Sequence, residues 1–207
     1  PIIQRSSTIA LEAGMTLPGC LEILQEFRKT HETPVVLFGA LNPFLVRGYE
    51  ASADAAREAG ADGVLAADLP AEEAAELRPI LLQRGLHLVN LVAPTTPTER
   101  FRIIAENSSG FVYCISMKGT TGQSAGTATD AKPYLDRLRS VTALPLALGF
   151  GVSKPEHVRA AVAAGADGVV VGSALISLID ECQREGRNTA EAVGAYVRSL
   201  AGELKRT

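Results

Sequence analysis

Two glycine turns in this sequence have the residue types to hold an anion. Leu148-Gly149-Phe150-Gly151-Val152-Ser153 closes one apolar run and opens a helical pattern, and Val171-Gly172-Ser173-Ala174 does the same one unit later. Glycines leave backbone N–H groups uncovered, and the start of a helix adds partial positive charge, so each turn suits a phosphate. Either turn alone could simply reverse the chain; the pair points to phosphate. A third stretch, Gly119-Thr120-Thr121-Gly122-Gln123-Ser124-Ala125-Gly126-Thr127, has the length of a lid that closes over substrate, with a plain surface loop as the alternative. Asp68 follows an apolar run, at a strand end, and is either a general acid or base or a polar rim group before Pro70. Asn42 stands at an equivalent strand end as a contact residue or a turn former. Tyr113 lies inside a strand, facing either a pocket mouth or the packing.

Phe38, Leu65, Ala67, Leu91, Phe150 and Val170 fall on strands or just past them. With few charges nearby they suit a flat apolar group beside the phosphate, and some of them are ordinary core. Other chemistries find little support. His31, His87 and His157 pair with no carboxylate at metal-ligand spacing, and no Ser-His-Asp or Cys-His set is legible. Cys20, Cys114 and Cys182 are odd in number and far apart, which fits reduced thiols in a cytosolic protein rather than a disulfide frame or a zinc site. The net charge of −3 steers nothing toward nucleic acid or anionic lipid. The apolar stretches are strand-sized, too short to span a membrane.

These residues need a scaffold of alternating strands and helices. The 207 residues are 46% hydrophobic but only 5% aromatic, the balance that short buried strands and helices use. Strands are expected over 34–38, 63–67, 87–92, 110–115, 145–148 and 168–171. Helices are expected from Leu17 behind a Thr16 cap, after a turn at Asn42-Pro43, over 71–83, from Pro97, from Asp130, over 154–164, from Ser173, and over 189–205. The segment Ala59-Gly60-Ala61-Asp62-Gly63-Val64 recurs as Ala164-Gly165-Ala166-Asp167-Gly168-Val169, a helix end followed at once by a strand. Six such units in one domain over 1–207 imply a parallel sheet with right-handed crossovers, either an open doubly wound sheet or a (β/α)8 barrel. Phosphate turns after the last two strands favour the barrel.

Taken together, Pro1-Ile2-Ile3-Gln4, Asn42-Pro43, Ala67-Asp68-Leu69-Pro70, Val92-Ala93-Pro94-Thr95-Thr96-Pro97, Gly119-Thr120-Thr121-Gly122, Gly149-Phe150-Gly151 and Gly172-Ser173-Ala174 resemble the tryptophan synthase alpha subunit family in order and spacing. The resemblance implies a cytoplasmic lyase of tryptophan biosynthesis that cleaves indole-3-glycerol phosphate to indole and glyceraldehyde 3-phosphate. It implies an alpha2beta2 assembly with a beta subunit that carries pyridoxal phosphate, no cofactor or metal in this chain, and no nucleic-acid or membrane partner. On that footing Gly122, Gly151, Gly172 and Ser173 bind the phosphate. Phe38, Leu65, Ala67, Leu91, Tyr113, Thr121, Phe150 and Val170 surround the indole, while Asn42 and Asp68 couple to the beta subunit. The family's catalytic Glu and Asp would precede Pro1, so the expectation is a TIM barrel lacking its first two strands, six βα units instead of eight, and no useful lyase activity for this chain alone. Apolar edges are then expected to be exposed on the strands beginning at Pro34 and Val169. Met117 stands where the family often has a lid Arg, and Ala40 where it has an aromatic. The alternatives are another phosphate-binding barrel, such as an indole-glycerol-phosphate synthase relative or a sugar-phosphate isomerase, or a non-catalytic partner that activates a beta subunit.

Overall fold

The structure is a computed structural model that describes residues 2–115, 131–149 and 151–204. They divide into two compact units, one of Leu11–Val92 and Thr96–Val112, the other of Pro1–Ala10, Ala93–Thr95 and Tyr113–Thr207. Helix α1 (Ile2–Glu12) belongs, up to Ala10, to the second of these.

The first unit begins with α2 (Leu17–Arg28), whose cap Thr16 accepts the Gly19 N–H on its side chain. It continues with β1 (Val36–Gly39), α3 (Asn42–Arg47), α4 (Tyr49–Glu58), β2 (Gly63–Ala66) and α5 (Ala74–Gln83). Then follow β3 (His87–Leu88), β4 (Asn90–Val92) and α6 (Thr98–Glu106). Strands β1, β2 and β3 form a parallel sheet in that order, with Phe38 opposite Leu65 and Val64 opposite Leu88. Side chains alternate along a strand, so neighbours on β2 serve opposite faces. Val64 and Ala66 join Leu21 and Leu24 of α2, Ala53 and Ala56 of α4, and Leu77 and Leu81 of α5 in one core. Leu65 is equally buried and lies on the other face with its register partner Phe38.

The second unit holds β5 (Val112–Ile115), α7 (Lys132–Arg139), β6 (Leu146–Gly149), α8 (Pro155–Ala163), β7 (Gly168–Val170), α9 (Ser173–Glu185) and α10 (Thr189–Ala201). β6 lies between β5 and β7, and β6 and β7 are parallel, with Gly149 opposite Val170. Val169 and Val171 pack with Val152, Val158 of α8, and Leu200 and Tyr196 of α10, so Val170 between them is presented on the opposite face.

The recurring Ala-Gly-Ala-Asp-Gly-Val segment does one mechanical job twice. Gly60 and Gly165 take φ of 90° and 99°, the left-handed region that ends a helix without a Cβ penalty. Asp62 then accepts the Val35 N–H and Arg28 of α2 at 2.7 Å each. Asp167 likewise accepts the Leu146 N–H at 2.7 Å, together with Arg139 of α7. In each case one carboxylate ties the start of a strand to the end of the helix before it.

Four expectations need correction. Asn42-Pro43 is not a turn but the first residues of α3: proline's fixed φ suits a helix start, and Phe44, 3% exposed, anchors the helix in the core. Gly48, at φ 88°, separates α3 from the longer α4. Helix α5 starts at Ala74 rather than Ala71, because Pro70–Glu73 close turns of their own. The run 87–92 is two short strands, with buried Asn90 at the break donating its amide to the Asn107 carbonyl and the Ser108 hydroxyl. The last helix ends at Ala201. Counting 87–92 as one run, the described residues hold six strand runs, each followed by a helix. β1 ends its sheet, and Phe38 on it is 61% exposed. β7 ends its own sheet with all three residues only half-buried.

Candidate functional site

The two glycine turns leave the same ends of neighbouring parallel strands. Gly149 and Val170 are register partners, and the chain passes on through Gly151 from β6 and through Gly172 from β7. Gly151 has φ 77°, a conformation that glycine alone adopts without strain. Gly172 caps the 13-residue α9 with no side-chain hydrogen bond, and its carbonyl accepts the Ile176 N–H at 3.1 Å. The opening N–H groups of such a helix have no acceptor inside it, so those of Ser173, Ala174 and Leu175 suit an anion, and the Ser173 side chain is of a type that can add a hydroxyl donor. A side chain at Gly172 would meet nothing closer than Ile3 Cδ1 at 4.0 Å, so this glycine is not required for space. Gly122 and the rest of the lid candidate, Met117 and Thr121 included, lie outside the described residues, as does Phe150.

Gly149 has a different reason to be glycine. A Cβ there would stand 2.3 Å from Tyr113 Oη and 2.5 Å from Cζ. The Tyr113 ring crosses the end of β6 through the space that the missing side chain leaves. On β5 the alternation buries Val112 and Cys114 on one face and sets Tyr113, half-buried, on the other. Tyr113 and Val170 are therefore brought to one face of this sheet, around Gly149. Burial raises the Tyr113 hydroxyl above its usual pKa, and it pushes the Cys114 thiol up to about 12. Neither group exchanges protons readily near neutral pH.

The first unit supplies a second apolar face. Phe38 and Leu65 are neighbours across β1 and β2, and Ala67, two residues beyond Leu65, is held past the strand end by donating its N–H to the Gly39 carbonyl at 2.9 Å. Leu91, half-buried between buried Asn90 and Val92, lies on β4, outside the sheet of β1 to β3 and not on this face. The Asp68 side chain is structural, its Oδ1 accepting the Leu41 N–H at 2.7 Å. That bond ties the chain leaving β2 to the residue before Asn42, which is itself exposed at the start of α3. Asp68 and Asn42 are far apart along the chain, and folding brings their segments together.

Sequence reasoning passed over His157 and Tyr196. His157 Nδ1 accepts the Ser153 N–H at 3.3 Å, and the Tyr196 hydroxyl donates to the Ser153 carbonyl at 2.9 Å. The four-residue spacing from Ser153 to His157 is visible in the sequence; nothing local connects Ser153 with Tyr196. Among the described residues none of the three cysteines forms a disulfide; Cys20 is exposed, Cys114 and Cys182 are buried. Among the described residues no cluster of His, Cys, Asp and Glu could hold a metal, and no helix is long and apolar enough to cross a membrane.

A family profile described as tryptophan synthase alpha chain matches residues 1–205. The tryptophan synthase alpha chain of Caulobacter sp. (strain K31) is 43% identical over 206 residues, which are 99% of this chain and 74% of that one. That of Desulfatibacillum aliphaticivorans is 46% identical over 200 residues, 97% of this chain and 75% of that one. Among solved structures, tryptophan synthase subunit alpha from Legionella pneumophila str. Paris superimposes with a TM-score of 0.89 at 36% identity, over 99% of this chain and 75% of that one. A chain from the tryptophan synthase a2b2 complex of the hyperthermophile Pyrococcus furiosus gives 0.89 at 39% identity, over 97% of this chain and 80% of that one.

Proposed function

Because this chain belongs to the tryptophan synthase alpha chain family, a lyase family of tryptophan biosynthesis with a TIM-barrel fold, we propose that its two glycine turns hold the phosphate of indole-3-glycerol phosphate. The carrying observation is the placement of left-handed Gly151 and the open start of α9 at the ends of register-paired parallel strands. Gly151, Gly172 and Ser173 make the phosphate cradle, and Gly122, outside the described residues, is assigned to it with them. Tyr113 and Val170, separately Phe38, Leu65 and Ala67, and Leu91 on β4 are the apolar residues assigned to the indole, with Thr121 and Phe150, outside the described residues, as further members. The alternative barrels, an indole-glycerol-phosphate synthase relative or a sugar-phosphate isomerase, are not favoured by relatives above 40% identity that are alpha chains throughout.

The cleavage needs a base at the indole N–H and an acid at the ring carbon that loses the side chain. In our reading neither is supplied by the described groups on either face. Asp68 is occupied with the Leu41 N–H, and Tyr113 and Cys114 hold their protons too tightly. The chain spans about three quarters of its curated relatives. We read residues 1–207 as the part of a barrel from its third strand on, with the acid–base pair supplied from elsewhere. By themselves these residues then bind the product-like phosphate but release little indole. A beta subunit carrying pyridoxal phosphate is the partner, Asn42 and Asp68 face it, and the compartment is the cytoplasm.

The test mixes the purified chain with a beta subunit from a family relative and follows two reactions. Indole release from indole-3-glycerol phosphate is expected to stay at background. Conversion of indole and serine to tryptophan is expected to speed up, and Asp68→Ala, which frees the segment before Asn42, is expected to weaken that stimulation several-fold. Rapid indole release by the chain would refute the division of labour. Absence of both stimulation and glycerol 3-phosphate binding would refute the site itself.

A further inference from the structure

The turn between β6 and α8 is gripped from outside by groups that the phosphate chemistry does not touch. Ser153, two residues after Gly151, has both of its backbone polar groups held by side chains from two helices. Its N–H donates to His157 Nδ1 on α8 at 3.3 Å, and its carbonyl accepts the Tyr196 hydroxyl of α10 at 2.9 Å. The Ser153 hydroxyl lies 3.5 Å from the same imidazole nitrogen. Between Ser153 and Gly151, Val152 is 7% exposed and packs with Val158 of α8, Leu200 and Tyr196 of α10, and Val169 and Val171 flanking Val170. Lys154, the residue before α8, makes no side-chain cap bond, so the helix grips this turn through His157 instead.

A phosphate held by backbone N–H groups is sensitive to where those groups point, because misalignment weakens a hydrogen bond steeply. Gly151 is also the residue here with the greatest freedom to wander. We propose that Tyr196 and His157 are positioning residues for the phosphate turn, acting on Gly151 through Ser153 and Val152. The inference rests on the phosphate reading of this turn and deepens it. Tyr196 reaches the turn from 43 residues away and closes α10 over it. Its phenol ring packs against the small apolar cluster, and its hydroxyl supplies a directional contact from that helix. The imidazole acts as an acceptor here, which a glutamine side chain can imitate and an alanine cannot.

The test titrates the full 207-residue chain with sn-glycerol 3-phosphate, read by amide shifts of Gly151, Val152 and Ser153, with thermal stability measured alongside. Tyr196→Phe keeps the packing and removes one hydrogen bond, and it is expected to weaken binding about fivefold, the value of one ordinary hydrogen bond. His157→Ala is expected to do the same, and His157→Gln to restore binding to within about twofold of the unaltered chain. Val193→Ala loosens α10 one turn before Tyr196 without touching Ser153, and it is expected to lower the melting temperature but leave affinity unchanged. If the unaltered chain binds and Tyr196→Phe and His157→Ala bind equally well, the positioning role is lost while the phosphate site stands. If Val193→Ala weakens binding as much as Tyr196→Phe at the same melting temperature, the effect is general loosening and the role is likewise lost. If the unaltered chain binds no glycerol 3-phosphate, the phosphate reading falls and takes this one with it.

Discussion

Gly149→Ala is expected to destabilise the chain by about 2 kcal/mol, in the range for forcing one extra methyl into a packed site. The new Cβ would fall 2.3 Å from the Tyr113 hydroxyl and 2.5 Å from ring carbon Cζ, closer than any real contact. Something must move, and the choice is between the strand backbone of β6 and the ring. Gly149 is bonded into the register with Val170, so the ring yields more readily. Displacing it carries the apolar face with it, and glycerol 3-phosphate binding is expected to suffer less than binding of an indole-bearing ligand. Tyr113→Phe does not relieve the clash, because Cζ remains. Tyr113→Leu shortens the side chain and is expected to recover most of the lost stability in the double variant. Urea unfolding of the two single variants and the double one measures the coupling. Simple additivity of the two losses would refute the contact as the cause.

Asp167→Ala is expected to cost a similar amount, about 2 kcal/mol, and for a reason that can be separated by pH. Two interactions are lost, with the Leu146 N–H and with Arg139. The ion pair is about half exposed, its side chains being 48% and 40% accessible, and pairs of that kind contribute little. The N–H is different. Leu146 is fully buried, and orphaning a buried donor carries its whole desolvation cost, about 1–3 kcal/mol. Burial raises the Asp167 carboxyl, but the Leu146 N–H and Arg139 outweigh that and hold it below the usual carboxylate range. A depressed folded pKa means a contribution that is complete above the unfolded value of about 3.9 and fades as the pH falls through the folded one. The gap in melting temperature between the unaltered chain and Asp167→Ala is therefore expected to be constant from neutral pH to about 4 and to narrow below it. A gap that widens in acid would overturn the assignment.

The repeated Ala-Gly-Ala-Asp-Gly-Val segment illustrates how much of this fold the sequence carries. Its glycines announce helix ends and its valines strand starts, because those preferences are local: a left-handed φ for Gly60 and Gly165, and β-branched residues where a sheet begins. The six strand runs, the Thr16 cap and the glycine turns after the last two strands were legible for the same reason. Errors arose where packing overrides local habit. Asn42-Pro43 resembles a turn, but buried Phe44 makes a helix there favourable. The run 87–92 resembles one strand, but the Asn90 amide is satisfied by residues at the end of α6.

The chemistry divides along the same line. By itself the sequence determined the family, through motifs spread over the whole chain, and it singled out the turns at Gly151 and Gly172-Ser173, because an uncovered backbone at a strand end is a local property. Only the tertiary structure decided why Gly149 is glycine, what Asp62, Asp68 and Asp167 hold, and which side chains steady Ser153. Each of those depends on a partner many residues away, Tyr113 for Gly149 and Tyr196 for Ser153, and a distance in space of a few ångströms leaves no trace in the spacing along the chain.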